Sequence, residues 1–366
     1  MEYRQEKGLP WVVSLLIAAL ICGLSVLGAF LVKQGFGANA HGNYTAVTLS
    51  GNAGVQVSGE GFVYYNGSAL ASVSSQGKTQ WTYMIGANAS FDASPAAVAA
   101  WQGETLTVID RETGTPFYSN PMGAEVLSAC TGEVYTAALL APEHDSSIVL
   151  IENGGRQVDL IAFADQTVLD YGFFSNGTLF WVMVLDTNGT VPTCSISTYR
   201  PGQRIVGMIT DAEQLMYQVM FQSSQVVCAG TTYLKTYDYT GQEIENKRKL
   251  VYGWYLAAVD DVVNDPMMAF VPHAQYSAAD SMRDVRMVRS GVDQLVRMPF
   301  GCSSLVAKGT RVYGFSSQGY VMIAESGKQK VNAYALETPS SQVYGVTDDG
   351  VAVLGSGETV YLLSLP

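Results

Sequence analysis

Three aspartates in the stretch DDVVND (260–265) are candidates for acid–base chemistry. Asp260, Asp261 and Asp265 lie close together in the sequence, and a pair of carboxyl groups can supply the acid and the base of glycoside hydrolysis. Aspartate and asparagine are also typical of the turns that end β-strands. The stretch therefore indicates either a glycan-cleaving site or an ordinary strand end, and the residue types favour the strand end.

Nucleophilic catalysis would need a histidine beside a nucleophile. His144 lies in the polar loop APEHDSS (141–147) and His273 in PHAQYSAADS (272–281), and neither loop contains a GxSxG elbow or a phosphate-binding glycine motif. The stretch DTNG (186–189) has residue types that bind calcium but lacks the longer ligand loop and its distal glutamate. We therefore predict no catalytic residue, no metal site and no cofactor.

The charge of the chain excludes one class of partner. The 366 residues have a net charge of −12 and a pI of about 4.7, which would repel a phosphate backbone, so we predict no nucleic-acid partner. Positive charge is concentrated in NKRK (246–249) and at Arg283, Arg286, Arg289 and Arg297. These residues could contact anionic lipid or wall polymer, but charged edges of strands are the favoured interpretation.

An uncharged segment near the N-terminus predicts a membrane anchor. Residues 11–32 (WVVSLLIAALICGLSVLGAFLV) contain no charge, and as a helix they would span about 33 Å, enough for a hydrocarbon core of about 30 Å. We predict a cytoplasmic tail over 1–10, a transmembrane helix over 11–32, a linker over 33–43 and an extracytoplasmic domain over 44–366. A cleaved secretory signal, with ANA (38–40) as its cleavage site, is the alternative, and either one exports the domain.

The cysteines do not indicate whether the domain forms disulfide bonds. Cys130, Cys194, Cys228 and Cys302 lie in the exported part of the chain. Four cysteines allow three pairings, and the sequence does not choose among them.

The elements that would position any site come from a repeat. Seven stretches each read as an alternating strand, a glycine turn and a second strand, as in ETLTVIDRETGTPFYS (104–119). Two further short apolar runs precede most of them. The turn glycines are Gly77, Gly114, Gly155, Gly202, Gly241, Gly291 and Gly327. Three or four strands in each unit of roughly 40 residues are typical of a β-propeller blade.

The two ends of the repeat region predict how the ring closes. GETVYLLSLP (357–366) matches the start of a hairpin and stops before the second strand, whereas YTAVTLS (44–50) is a strand with no unit of its own. Pairing these two segments completes an eighth blade and removes two free sheet edges. The sequence therefore predicts an all-β, eight-bladed propeller, with seven blades as the alternative.

The longest interruption of the repeat is a candidate binding loop. Insertions between propeller strands gather on a face of the ring and often carry binding contacts. We therefore predict that His273, Gln275 and Tyr276, in the loop 272–281, contribute to a partner-binding face.

The repeat resembles a known family. LTVIDRETGTPFYS and LASVSSQGKTQWTY, each with a glycine turn followed by an aromatic residue, are similar to the quinoprotein-type (PQQ-like) propeller repeat. Trp81 holds the position of the family's tryptophan, and Tyr118 replaces it in the next unit. The chain resembles noncatalytic, membrane-anchored members, including envelope proteins of Gram-positive bacteria, and it has no adjacent cysteine pair like that of many quinoprotein dehydrogenases.

The resemblance implies a scaffold. We predict a noncatalytic module at the cell membrane that binds an envelope protein or a cell-wall polymer. An enzyme of quinoprotein or glycan-cleaving type is the alternative.

Overall fold

Eight four-stranded antiparallel sheets are arranged as the blades of a propeller. The computed structural model describes residues 44–142, 146–174, 177–203, 205–222, 225–238, 240–260, 265–276, 278–325 and 331–366. Within these residues 32 strands form eight sheets, so the prediction of eight blades is confirmed and the seven-bladed alternative is wrong.

Blades 1 to 7 each use four consecutive strands, here called a to d from the centre outwards. Blade 1 contains β2 (Gly54–Ser58), β3 (Gly61–Tyr65), β4 (Ala69–Ser74) and β5 (Thr79–Met84). Blade 2 contains β6 (Ser90–Ala93), β7 (Ala97–Gln102), β8 (Thr105–Asp110) and β9 (Pro116–Pro121). Blade 3 contains β10 (Val126–Thr131), β11 (Tyr135–Leu140), β12 (Ser146–Glu152) and β13 (Gln157–Phe163). Blade 4 contains β14 (Gln166–Phe173), β15 (Phe180–Asp186), β16 (Thr193–Tyr199) and β17 (Ile205–Asp211).

The other blades follow the same order. Blade 5 contains β18 (Met216–Gln222), β19 (Gln225–Gly230), β20 (Tyr233–Asp238), a 3-10 turn (Glu245–Lys247) and β21 (Lys249–Leu250). Blade 6 contains β22 (Trp254–Asp260), β23 (Met267–Pro272), the one-turn helix α1 (His273–Tyr276), β24 (Met282–Arg289) and β25 (Val292–Cys302). Blade 7 contains β26 (Ser304–Lys308), β27 (Arg311–Phe315), β28 (Gly319–Ala324) and β29 (Val331–Ala335). Blade 8 combines β30 (Gln342–Val346), β31 (Val351–Ser356) and β32 (Thr359–Ser364) with β1 (Tyr44–Thr48) as its d strand.

The N-terminal and C-terminal strands close the ring as the sequence predicts. Strand β1 pairs antiparallel with β32, with Val47 opposite Val360 and Ala46 opposite Tyr361. The finished blade then packs its apolar side chains, among them Val353 and Leu362, against Phe62 of blade 1.

Apolar cores lie between the blades rather than within them. Each of the eight hydrophobic clusters joins side chains of two neighbouring blades, one cluster at every junction around the ring. The middle strands are therefore buried on both faces and read as continuous apolar runs, as in the fully buried GFVYY of β3.

The turn glycines of the repeat permit close approach between blades. Gly114, in the c–d turn of blade 2, has φ +72°, and a Cβ there would lie 2.5 Å from the Trp81 ring of blade 1. Gly155 meets Tyr118 of blade 2 in the same way. The indole N–H of Trp81 also donates to the Arg111 carbonyl at 3.0 Å, so these two c–d turns pack on the outer strand of the preceding blade.

Strand direction gives the ring two distinct faces. The a–b and c–d turns lie at one end of each sheet, and the b–c and d–a connections lie at the other. We call these the cd face and the bc face. Five inner strands also carry a β-bulge, which places one extra residue in the strand and increases its local twist. The bulged residues are Leu127, Leu169, Tyr217, Ala257 and Tyr344.

Two further expectations concern the membrane anchor and the cysteines. The predicted transmembrane helix (11–32) and linker (33–43) lie outside the described residues. Within the described part of the chain, every helix is too short to cross a bilayer. Cys130, Cys194, Cys228 and Cys302 are all free thiols, so none of the three pairings is formed.

Candidate functional site

The three residues predicted to bind a partner lie in α1, on the bc face of blade 6. Helix α1 is the connection between β23 and β24, and the backbone N–H of His273 donates to the Gly253 carbonyl at 3.1 Å. His273 and Tyr276 are exposed, whereas Gln275 is half-buried. The loop is therefore tied to the connection that enters β22, next to the central channel.

Gln275 holds the loop itself together. Its amide nitrogen donates to the Asp284 carboxylate at 2.7 Å, and its side-chain oxygen accepts the backbone N–H groups of Arg283 and Asp284, each at 2.9 Å. The Ser281 hydroxyl donates to the Gln275 carbonyl. The polar groups of this side chain are thus engaged within the protein, which gives Gln275 a positioning role.

His273 and Tyr276 belong to a cluster of aromatic rings. The ring centroid of Tyr255, on the inner strand β22, lies 4.0 Å from that of Tyr276 and 6.2 Å from that of His273. Tyr255 also stacks on Tyr217 of blade 5, with ring centroids 5.7 Å apart and planes 2° apart. Burial and a hydrogen bond with Tyr255 raise the pKa of Tyr276, so its hydroxyl is neutral at physiological pH.

The exposed edge of this cluster is apolar and aromatic. Tyr252, in the d–a connection before β22, is 74% exposed, and Tyr276 is 46% exposed. Leu250, which ends β21 two residues before Tyr252, is also exposed. We call the group formed by Tyr217, Tyr252, Tyr255, His273 and Tyr276 the aromatic patch. Tyrosines of this kind offer large, rigid contact area at low entropic cost.

The aspartates considered for glycoside hydrolysis have structural partners. Asp260, the last residue of β22, accepts the backbone N–H of Gly309 in the next blade at 2.6 Å. Asp265 accepts the Gln222 amide at 2.7 Å and pairs with Arg289 at 2.9 Å. Asp261 and His144 lie outside the described residues. The two aspartates that are described bridge neighbouring strands and blades, as the strand-end interpretation predicts.

The positive charges of blades 5 and 6 are largely neutralised within the fold. Arg286 pairs with Asp293, and Arg289 pairs with Asp265 and Glu325. Arg297, Lys249 and Arg248 also have carboxylate partners. These side chains connect strand edges within and between blades, which leaves little net positive charge to attract an anionic surface.

A concave feature lies at the mouth of the channel on the cd face, and no motif in the sequence predicts it. It is a cavity of about 630 Å³ formed by the inner strands and a–b turns of blades 2 to 5. Its walls include Phe173, Phe174, Trp181 and Phe221, with the Phe174 and Phe221 ring centroids 4.0 Å apart. We call this cavity the acidic mouth because of the carboxylates described next.

Three titratable groups on consecutive inner strands lie at or beside the acidic mouth: Cys130 and Asp170 line the cavity, and Asp92 lies close enough for its charge to act on Cys130. Asp92 lies on β6, Cys130 on β10 and Asp170 on β14. Burial raises the pKa of Asp92 to about 6 and also raises that of Asp170. Burial and the charges of both aspartates raise the pKa of the Cys130 thiol, so both carboxylates lie within electrostatic reach of it.

The strand positions of these residues carry the signal that could have located the cavity. Asp92 is the penultimate residue of β6, and Asp170 lies three residues before the end of β14, so both lie in the half of an inner strand that leads to an a–b turn. Superimposing the inner strands of successive units would have placed both carboxylates at the same end of the channel. Asp92 alone looks like an ordinary strand-terminal aspartate.

The described residues contain no group of three or more His, Cys, Asp or Glu side chains arranged to hold a metal ion.

Comparisons with solved structures show the propeller fold. The chain is similar to Sqt1 from Saccharomyces cerevisiae, with 9% sequence identity, 89% of this chain and 98% of that chain covered, and a TM-score of 0.57. It is similar to the C-terminal WD40 domain of Sif2, with 12% identity, 88% and 97% covered, and a TM-score of 0.59. It is also similar to the WD40 domain of SCAP from fission yeast, with 8% identity, 88% and 98% covered, and a TM-score of 0.57.

Sequence comparisons give no closer relative. No protein-family model matches the chain, and no curated protein matches it significantly. The similarity to solved structures, at these identities, establishes the β-propeller fold and leaves the PQQ-like resemblance as a prediction from the repeat.

Proposed function

We propose that the chain is a noncatalytic, membrane-anchored propeller that binds another protein of the cell envelope through the aromatic patch on its bc face. The observation that carries this proposal is the exposed Tyr276 beside the stacked rings of Tyr255 and Tyr217, with the exposed Tyr252 next in the chain to Gly253, whose carbonyl accepts the N–H of His273. WD40 domains among the similar structures are consistent with a binding role.

The support beneath the patch is rigid. Gln275 fixes the loop through three hydrogen bonds, and Tyr217 accepts the backbone N–H of Leu256 at 3.4 Å. A surface whose rings are already held in place loses little conformational entropy on binding. Large tyrosine side chains on such a support are typical anchors of protein interfaces.

The entry of the chain into the ring suggests an orientation. Strand β1 begins at Tyr44, opposite Leu363 near the end of β32, and this end of blade 8 belongs to the cd face. A linker over 33–43 would have a root-mean-square span of about 18 Å. In this proposal the cd face is turned towards the bilayer outside the cell, and the aromatic patch faces away from the membrane.

Photocrosslinking in intact cells tests the partner-binding role. A photoreactive phenylalanine analogue is placed at Tyr252 or Tyr276, and at Met84 as a control, since Met84 is 69% exposed on the outer strand of blade 1. We expect one protein adduct at positions 252 and 276 and none at 84. Adducts to a cell-wall polymer would mean that the partner is a polymer and not a protein. Equal labelling at all three positions would refute the site.

A matched variant separates binding from folding. Tyr276→Ser removes the exposed ring and keeps Gln275, which holds the loop, in place. We expect at least a tenfold loss of partner capture with an unchanged unfolding midpoint. Gln275→Ala should instead lower the midpoint, because Asp284 and the loop lose their shared partner.

A topology measurement tests the anchor separately. Reporter fusions that are active only outside the cytoplasm are joined after residue 366, and membrane and soluble fractions are compared. We expect the activity in the membrane fraction. Activity in the medium would indicate the cleaved-signal alternative, and an inactive reporter would refute export.

A further inference from the structure

The charge of the ring is distributed unevenly. Residues 54–211, which form blades 1 to 4, contain 15 acidic and five basic residues, a net charge of −10. Residues 212–366 contain 15 acidic and 12 basic residues, a net charge of −3. The acidic mouth opens over blades 2 to 5, so it lies mainly in the strongly negative half.

The channel wall offers almost no internal counter-charge. Among the eight inner strands, the only basic residue is Lys308 at the end of β26, and it pairs with Asp348 at 2.7 Å. Within the described residues, Asp92 and Asp170 show no ion pair with lysine or arginine, and no cation contributes to the pKa of either. These carboxylates therefore bear a desolvation cost that a ligand cation would relieve.

The walls around the carboxylates suit a peptide side chain. Phe174, Phe221 and Trp181 line one side of the cavity, and Tyr171, whose hydroxyl is 2.7 Å from the Ser128 hydroxyl, lies beside Asp170. Glu133 stands exposed at the rim. Arginine and lysine have an apolar stem and a charged head, so the stem can pack on aromatic rings while the head reaches the carboxylates.

We propose that the acidic mouth binds a basic segment of a protein partner, with one lysine or arginine reaching Asp170, where the nearby charge of Asp92 also attracts it, and an apolar neighbour packed on Phe174 and Phe221. The cavity volume of about 630 Å³ lies within the range of pockets that enclose ligands and accommodates a few side chains. This site is separate from the aromatic patch, because it opens on the opposite face of the ring.

Selection from a random peptide library tests the chemistry of the ligand. A phage-displayed nonapeptide library is panned against the full-length protein in detergent. We expect the bound peptides to be enriched in lysine or arginine next to aromatic or aliphatic residues. Selected peptides with no net positive charge would overturn the proposal, as would failure to select any peptide.

Paired variants locate the binding site. Fluorescence polarisation of the best basic peptide is measured for the parent chain, for Asp92→Asn/Asp170→Asn, and for the control Glu104→Gln/Glu358→Gln, which removes two carboxylates from b–c turns on the opposite face. At 150 mM salt we expect at least a tenfold weaker Kd for the first variant and less than a twofold change for the control. Equal Kd values for both variants would overturn the site.

Titrations with salt and with divalent cations distinguish a basic peptide from a metal ion as the ligand of the acidic mouth. The affinity of the basic peptide should fall as salt rises from 50 to 500 mM, because the contact is electrostatic. The protein is also titrated with Ca²⁺ and with Mg²⁺ alone. If either ion binds tightly, displaces the peptide and no longer binds to the Asp92→Asn/Asp170→Asn variant, the ligand of the acidic mouth is a metal ion and the proposal of a basic segment is overturned.

Discussion

Carboxylates inside the ring have opposite surroundings at two places. At the junction of blades 4 and 5, Asp211 lies 2.9 Å from the ammonium group of Lys235, and both side chains are almost completely buried. At the acidic mouth, Asp92 and Asp170 have no such cation among the described residues. The first carboxylate is a closed internal contact, whereas the others keep their charge available to a ligand.

The pKa values follow this difference. Burial acts to raise the pKa of Asp211, but hydrogen bonds from Lys235, Gln214 and the Glu213 backbone more than offset it, so the pKa lies below the ordinary value. For Asp92 burial acts without a compensating partner, and the pKa rises to about 6. The comparison teaches that burial alone does not set the pKa of a carboxylate in this fold, because the hydrogen bonds and cation beside Asp211 reverse the direction of the shift.

The largest expected effect comes from breaking the closed contact. Lys235→Met keeps the length of the side chain but leaves Asp211 as an unpaired buried charge. We expect the free energy of unfolding to fall by about 3–5 kcal/mol, the usual cost of removing one partner of a buried pair. Urea denaturation at pH 7 measures this loss.

The double variant serves as its control. Asp211→Asn/Lys235→Met removes both charges, so much of the lost stability should return. A double variant no more stable than Lys235→Met would mean that the cost comes from packing rather than from the stranded carboxylate.

A smaller effect of opposite sign is expected at the acidic mouth. The pKa of Asp92 is about 6 in the folded protein, and an unfolded aspartate has a pKa of about 3.9. The folded chain therefore holds this proton more tightly, and the contribution is fully present below about pH 4 and lost as pH rises through 6. Asp92→Asn should raise the free energy of unfolding by about 1–2 kcal/mol at pH 8, allowing for partial solvent access through the channel.

The pH dependence of that effect provides the check. Parent and Asp92→Asn unfolding curves should nearly coincide at pH 4 and separate above pH 6. Asp110, in the c–d turn of blade 2, is the contrasting control. It accepts hydrogen bonds from the backbone N–H groups of Thr113 and Glu112, and these lower its pKa, so Asp110→Asn should lose stability at pH 7. A destabilised Asp92→Asn at pH 8 would contradict the interpretation.

The smallest effect is expected for an exposed ion pair. Lys249 lies 3.4 Å from Asp293, and about a third of each side chain is exposed. Lys249→Met should change the free energy of unfolding by less than about 1 kcal/mol, because solvent and salt screen such pairs. Thermal unfolding at 50 and 500 mM salt measures it, and a loss close to that of Lys235→Met would remove the distinction between the two kinds of pair.

The fold could be predicted from the sequence because its signals are local and repeated. Strand alternation and a turn glycine such as Gly114 occur within 16 residues of one another, and the repeat multiplies that weak signal. The incomplete units at 44–50 and 357–366 then predict that these two segments pair, because a closed ring leaves no strand unpaired. The structure pairs Val47 with Val360.

The candidate sites were harder to predict from the sequence than the fold. Asp92, Cys130 and Asp170 are about 40 residues apart in the chain, and only the ring geometry brings them together. The length of the loop predicted a binding role for α1, but the residue type did not predict that the Gln275 side chain forms its hydrogen bonds within the loop. The ring contacts of Tyr255 could not be predicted, because a tyrosine in a strand is ordinary.

The shared eighth blade also sets an order of events during synthesis. Strand β1 is made before the rest of the ring, but its partner β32 follows about 310 residues later. At ribosomal speeds of roughly 5–20 residues per second, the first strand would wait about 15–60 s with its hydrogen-bonding edge unsatisfied. Blades 1 to 7 can form in sequence during that interval, so closure of the ring is the final step and the one most exposed to wrong pairing.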